Sequence, residues 1–384
     1  MTESDTNADR MTNVSDHSRF FDWASTSPMC YRARKKRDEY LLLQDTACDA
    51  PLSLEVSTLG LAELRSAIAS AFGASLPYEV ILGRSVSEFV TLLAYGLSDD
   101  PHRQKVVVTD LDHAAAIMPW LGPAGHRWDV VAAPSNDDGT VDTDAMAQLI
   151  DERTAVVVCT HLSHIHGTTQ PVGRVAGLAA ASGAVSVIDG AQAVGRIPVS
   201  IDNIGCDVYL GVARKALRGP LGTGFLVATR DVLEKLRPLL LSTRACALDG
   251  LKMSKESLIF ADVPQRFEGN LPDMGALHGL WGALEGTAPD ALDDLHARCS
   301  LEMPRLIREL TLLGFQTTAE AAQPVGIVTF RTPDGVSGTE VQSRLRKVGI
   351  VVAASQSSIR VSIHVPNESA DVEALLKEVS SAIK

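Results

Sequence analysis

Three polar residues stand directly behind runs of β-branched residues, where a sheet would present them together. Asp189 closes the run AVSVID and is followed by GAQAVG. Small residues there let the backbone come close to whatever the carboxylate touches. A carboxylate at the end of a buried strand costs several kcal/mol unless a cation or metal meets it. Its plainer role is to cap the helix that follows. Lys215 lies in DVYLGVARKALRGPLGTGF, just past a second run, where an amine can be desolvated and reactive. Arg214 beside it lowers the lysine's proton affinity by like-charge repulsion, although the pair alone also reads as a basic surface turn. His113, in VVVTDLDHAAAIMPW, follows a third run, and a single loop histidine is commonly structural. Ligands of doubly wound sheets bind at the carboxyl ends of strands, so the three residues reinforce one another. Together they suit an aldehyde cofactor: the lysine bonds the aldehyde, the carboxylate pairs with a pyridinium nitrogen, and a ring stacks on the cofactor face.

The elements that must position them are legible as alternating runs. Strands are predicted at 78–83, 105–110, 128–133, 154–160, 184–189, 207–212 and 224–229. Helical patterns lie between them at 61–74, 87–97, 142–151 and 172–182. This alternation predicts an α/β fold, a mostly parallel sheet sandwiched by helices. The nearly unbroken apolar runs suit a sheet buried on both faces. Beyond about residue 235 the rhythm changes. Loops are expected over 241–254 and 266–273, then helices at 275–286 and 290–314. The chain closes as strand (326–332), helix (337–349), strands (350–355 and 358–364) and helix (368–384), the order of a small α+β domain. The expected division is a loosely docked or disordered tail over 1–19, a large domain over 20–274 and a small C-terminal domain over 275–384.

Composition narrows the function. The 384 residues carry 35 Lys and Arg against 47 Asp and Glu, a net charge of −12, so broad binding to nucleic acid is not expected. No run approaches the ~18 apolar residues of a membrane span, and the polar first residues do not form a signal peptide. A cytoplasmic protein is expected. Cys30, Cys48, Cys159, Cys206, Cys246 and Cys299 are scattered, without a C-x-x-C pair, so neither a metal site nor a disulfide scaffold is anticipated. The glycines of GPLGTG (219–224) lack the G-x-G opening and the acid of a dinucleotide site.

Over nearly its whole length the chain resembles the class V aminotransferase family of pyridoxal-phosphate enzymes. That family includes cysteine desulfurases, cysteine C–S lyases and isopenicillin N epimerase. The likeness runs from FFDWASTSP (20–28) to the last helix and is most specific in VIDGAQAVGRIPVSIDNIGCDVYLGVARKALRGPLGTGFL (187–226). It implies a fold-type I enzyme with pyridoxal 5'-phosphate as cofactor, assembled as a homodimer. Lys215 would bond the cofactor and later carry the proton at Cα. Asp189 would face the pyridinium nitrogen, Gln192 the phenolic oxygen, and His113 would stack on the ring. Ser85 and Ser87 match the loop that holds the phosphate at a helix N-terminus. Arg360, in SIRVSIHVPNE, matches the arginine that clamps the substrate carboxylate.

The departures from the family pattern also inform. Desulfurases carry a nucleophilic cysteine in a long loop before that arginine, whereas VGIVVAASQSSIR (348–360) is short and has none. Arg214 replaces the usual histidine before the lysine, a pairing associated with hercynylcysteine sulfoxide lyase and related C–S lyases. Val212 replaces a phosphate-binding serine, which leaves Arg214 more of that work. His164 stands where an asparagine usually reaches cofactor and substrate, and Leu271 where a threonine reaches the partner's phosphate. The expected function is a C–S β-lyase that cleaves an S-substituted L-cysteine to a thiol, pyruvate and ammonia. Its substrate would be ergothioneine-like or an antibiotic-pathway intermediate such as a lincosamide S-cysteine conjugate. The alternative is another outcome at Cα: decarboxylation-coupled oxidative deamination, transamination or epimerisation. A non-catalytic binding module is disfavoured by the intact Lys215, Asp189 and His113.

Overall fold

A computed structural model of the chain describes residues 19–46, 54–75, 78–97, 100–122, 127–243, 245–248, 258–262, 264–269, 272–284, 287–318 and 325–383. Residues 1–18 of the tail expected over 1–19, and Leu271, lie outside these residues.

The seven runs form one sheet: β1 (Tyr78–Gly83), β2 (Lys105–Thr109), β3 (Asp129–Ala133), β4 (Thr154–Thr160), β5 (Val185–Asp189), β6 (Val208–Val212) and β7 (Gly224–Thr229). Their spatial order is β1-β7-β6-β5-β4-β2-β3, with β7 alone antiparallel to its neighbours. All the other strands therefore end at one edge, with Asp189 flanked by Thr160 and Leu210. At the same edge Gly224 lies between Gly83 and Val212, so β1 and β6 finish side by side across β7.

Alternate residues of each strand enter opposite apolar layers. Val157, Cys159, Ile188 and Tyr209 pack with helices Leu54–Ala71, Val172–Ser182 and Met274–Leu284. Val156, Val158, Val187 and Leu210 face helices Val86–Gly96 and Ala114–Leu121. Burial on both faces explains the unbroken apolar runs.

A second, antiparallel sheet has the order β10-β11-β13-β12, built from Gln316–Thr317, Ile327–Arg331, Ser358–Ser362 and Ala353–Ser355. Helices Pro289–Leu312, Gly338–Lys347 and Ser369–Ala382 cover it. Its apolar cluster begins at Leu295, whereas Leu277, Leu280 and Leu284 pack under the large sheet. Helix Met274–Leu284 thus packs with the large sheet, although the expected division places it at the start of the small domain. Phe21 also belongs to the small domain's cluster, although 20–274 was read as one large unit.

Three features differ from the sequence expectation. A helix spans Tyr31–Thr46; it buries only Ala33 and so shows no apolar stripe. The segment read as loop contains a hairpin of β8 (Cys246–Leu248) and β9 (Leu258–Phe260). The strand expected at 350–355 is shortened, because Val351 instead bridges to Phe20.

Gly190, directly after Asp189, is required by a close approach. A Cβ there would lie 2.3–2.4 Å from the ring of Tyr209. That ring is anchored by its hydroxyl, 2.8 Å from Nδ1 of the buried His161. Gly190→Ala is expected to lower stability by ~1–3 kcal/mol through overpacking. An unchanged thermal unfolding midpoint would contradict this.

Candidate active site

Asp189 is 4% exposed and Lys215 is 7% exposed at the shared strand edge. Oδ1 of Asp189 accepts the Ala191 N–H at 2.9 Å, so the carboxylate does cap the turn that follows. Among the described residues no basic side chain lies within ion-pair distance of it. Burial pushes the Lys215 amine down to about 8; Asp189 opposes that shift, and Arg214 and Arg360 add to it. A substantial fraction of the amine is therefore neutral near physiological pH.

His113 caps helix Ala114–Leu121, its Nδ1 accepting the Ala115 N–H at 3.1 Å. Partial burial and the nearby Lys215 lower its proton affinity, against a pull from Asp189. Its ring lies 5.0 Å from that of His164, edge to face. Burial, then His113 and Lys215, push His164 down to about 3. Nδ1 of His164 is buried without a hydrogen-bond partner. Gln192 donates from Nε2 to the Ala24 carbonyl at 2.8 Å, while its Oε1 is buried and unpaired.

Arg360 reaches the same cluster from β13. Nη1 donates to the His164 carbonyl at 3.1 Å, and Nη2 to Asp22 Oδ1 at 3.1 Å and Ser25 Oγ at 2.5 Å. Arg214 turns toward the N-terminal segment, where Nη1 donates to the Ser25 carbonyl and to Thr26 Oγ1 at 3.1 Å. Ser85 caps helix Val86–Gly96, its Oγ accepting the Glu88 N–H at 3.2 Å, and Ser87 is exposed in the first turn. This helix N-terminus follows β1 and so sits at the edge that carries Lys215. Val212 is buried at the end of β6.

The structure thus gathers Lys215, Asp189, His113, His164, Gln192, Arg214 and Arg360 at one sheet edge, with Ser85 and Ser87 opening the helix there. Sequence reasoning passed over Asp22, Ser25 and Ser27. Ser27 Oγ donates to the Lys215 carbonyl at 2.5 Å, and its N–H to the Arg214 carbonyl at 2.7 Å. The available signal was the polar run inside FFDWASTSP, whose partners lie some hundreds of residues away.

These groups fit pyridoxal phosphate. A buried carboxylate without a cation calls for a protonated pyridinium, a buried amine with lowered proton affinity for an aldehyde, and amides at a helix start for an anion. The class V aminotransferase family model matches residues 19–375. The chain belongs to the class V aminotransferase family. Its cofactor is pyridoxal 5'-phosphate. A cysteine desulfurase of Pectobacterium atrosepticum is 29% identical over 299 residues, 77% of this chain and 72% of its own length. A probable cysteine desulfurase of Halalkalibacterium halodurans is 27% identical, covering 84% of this chain and 82% of the relative. Among solved structures, a cysteine desulfurase of Thermococcus onnurineus superposes with a TM-score of 0.86 at 22% identity, over 99% and 98% of the two chains. The cystine C–S lyase C-DES, in complex with cysteine persulfide, superposes with a TM-score of 0.82 at 20% identity, over 94% and 97%.

The neutral amine of Lys215 increases as pH rises through about 8. The rate at which cofactor-free protein bonds pyridoxal phosphate should climb through that pH and then level off. In Arg214→Met the midpoint should move upward, because a lowering charge is lost. The absorbance change on adding cofactor measures both, and a rate independent of pH between about 7 and about 9 would contradict the assignment.

Proposed function

We propose that this protein is a C–S β-lyase that converts an S-substituted L-cysteine and water to a thiol, pyruvate and ammonia. The observation that carries the reading is the connection between β12 and β13. Ser355 pairs with Ser358, so two residues, Gln356 and Ser357, turn the hairpin three positions before Arg360. A tight turn without cysteine has no room for the loop nucleophile that a persulfide-forming desulfurase needs. The family and the names of the relatives support C–S chemistry on a cysteine; the missing nucleophile favours elimination over sulfur transfer.

The bound cofactor would supply an electron sink for the pair left at Cα when its proton departs. Asp189 would hold the pyridinium nitrogen protonated, and Gln192 and His164 would present their unpaired atoms toward its ring substituents. The first turn of helix Val86–Gly96, with Ser85 and Ser87, would take the phosphate, and Arg214 would add positive charge. His113 would cover one ring face. Arg360 would fix the substrate carboxylate with its guanidinium, which suits two-point binding. Lys215 would remove the Cα proton as general base. The Cβ–S bond then breaks with its electrons going to sulfur, which leaves as thiolate and is protonated to the thiol. Hydrolysis of the three-carbon remainder consumes one water and yields pyruvate and ammonia. We assign the protein to a homodimer as an implication of the family resemblance.

Lys215→Ala should abolish thiol release from S-substituted cysteines while leaving the unfolding midpoint near wild type. Substantial thiol release by that variant would remove Lys215 from its role. Arg360→Ala should weaken substrate binding by ~2–5 kcal/mol if the carboxylate is held in a desolvated pair. Unchanged substrate affinity would take Arg360 out of the site.

A further inference from the structure

The segment Phe21–Ser27 is pinned to β13 beside Arg360. The Phe21 N–H donates to the Val351 carbonyl and the Ser362 N–H to the Phe21 carbonyl, each at 2.8 Å. The Ala24 N–H donates to Ser362 Oγ at 3.0 Å. From this anchored backbone Asp22 and Ser25 face the guanidinium. Asp22 Oδ1 accepts from Arg360 Nη2 at 3.1 Å and from Ser25 Oγ at 2.8 Å. Ser25 Oγ in turn accepts from Nη2 at 2.5 Å. The ion pair is largely buried, with 16% and 19% of the two side chains exposed.

The contact is one-sided. Asp22 engages one nitrogen through one oxygen, the His164 carbonyl takes Nη1, and Arg360 Nε is buried without a partner. Two nitrogens of the fork are therefore fixed while one edge keeps a donor to offer. A long arginine side chain held at two points loses less freedom when it binds a carboxylate than one that is free to move. We propose that Asp22, braced by Ser25, is a positioning residue that holds Arg360 in the orientation that receives the substrate carboxylate. This rests on Arg360 being the carboxylate clamp. Charge alone argues the opposite sign, since the Asp22 carboxylate repels an incoming one; the direction of the effect therefore decides between holding and competing.

The test uses the cofactor-loaded protein and two amines that lack a sulfur leaving group, L-alanine and ethylamine. Binding of each is read from the change in cofactor absorbance. Asp22→Ala should weaken L-alanine about ten-fold, leave ethylamine unchanged, and raise KM for an S-substituted cysteine with kcat within about two-fold. Asp22→Asn, which keeps an acceptor oxygen, should restore most of the L-alanine affinity. Ser25→Ala should weaken L-alanine in the same direction, and serves as the test where Asp22→Ala does not fold. Unchanged or tighter L-alanine binding in these variants would overturn the proposal, as would an equal loss for ethylamine. Arg360→Ala separates the two levels. A selective loss for L-alanine there, with none in the Asp22 and Ser25 variants, removes the positioning role and keeps the clamp. No loss in Arg360→Ala removes both.

Discussion

An amine and a carboxylate buried at the same sheet edge set the terms for everything around them. Taking either ion out of water costs several kcal/mol, and neither Asp189 nor Lys215 has a side-chain ion partner close enough to recover that cost. The protein tolerates the arrangement by making Lys215 easy to discharge and by giving Asp189 a backbone amide. The parallel order of β4, β5 and β6 is what brings the residues together, because it ends all three strands at one level. The small residues after Asp189 then let the turn lie against Tyr209, and that ring is locked by His161. A site with Asp189 buried free of any ion pair among the described residues and several basic groups around it suits a cationic ring carrying an anionic phosphate.

The second sheet contributes through one long side chain. Arg360 leaves β13 and ends among residues of the large domain and the N-terminal segment. The run Asp22–Ser27 touches Arg360, Arg214, the Lys215 carbonyl and Gln192, and so ties the Arg360 guanidinium to the backbone that carries Lys215. A chain of short polar side chains suits such a strap, since each can bond backbone and side chain at once. The tight hairpin ahead of Arg360 keeps its guanidinium close to this strap, and in the function we propose it favours elimination over passing sulfur to a cysteine.

Much of this was legible in the sequence for a definite reason. Strands buried on both faces must be apolar throughout, so all seven runs of the large sheet matched strands to within a residue or two. Asp189, Lys215 and His113 were visible because strand ends are where polar residues have a purpose. Helix Tyr31–Thr46 was not visible, because it buries a single alanine and carries charge on every side. The short β8–β9 hairpin had too few residues to show a period. Asp22 and Ser25 were missed because their partner lies more than 330 positions away, a distance that local pattern cannot bridge. An apolar helix such as Met274–Leu284 looks the same in sequence whichever sheet it covers.

The reading of the site as an eliminating one is tested most directly by running a single S-substituted L-cysteine through the cofactor-loaded protein in heavy water and identifying every product by mass. Elimination predicts free thiol, ammonia and pyruvate in equal amounts, with deuterium entering the methyl group of pyruvate. A product that keeps its carbon–sulfur bond, whether a keto acid, an aldehyde or the opposite enantiomer, would contradict it.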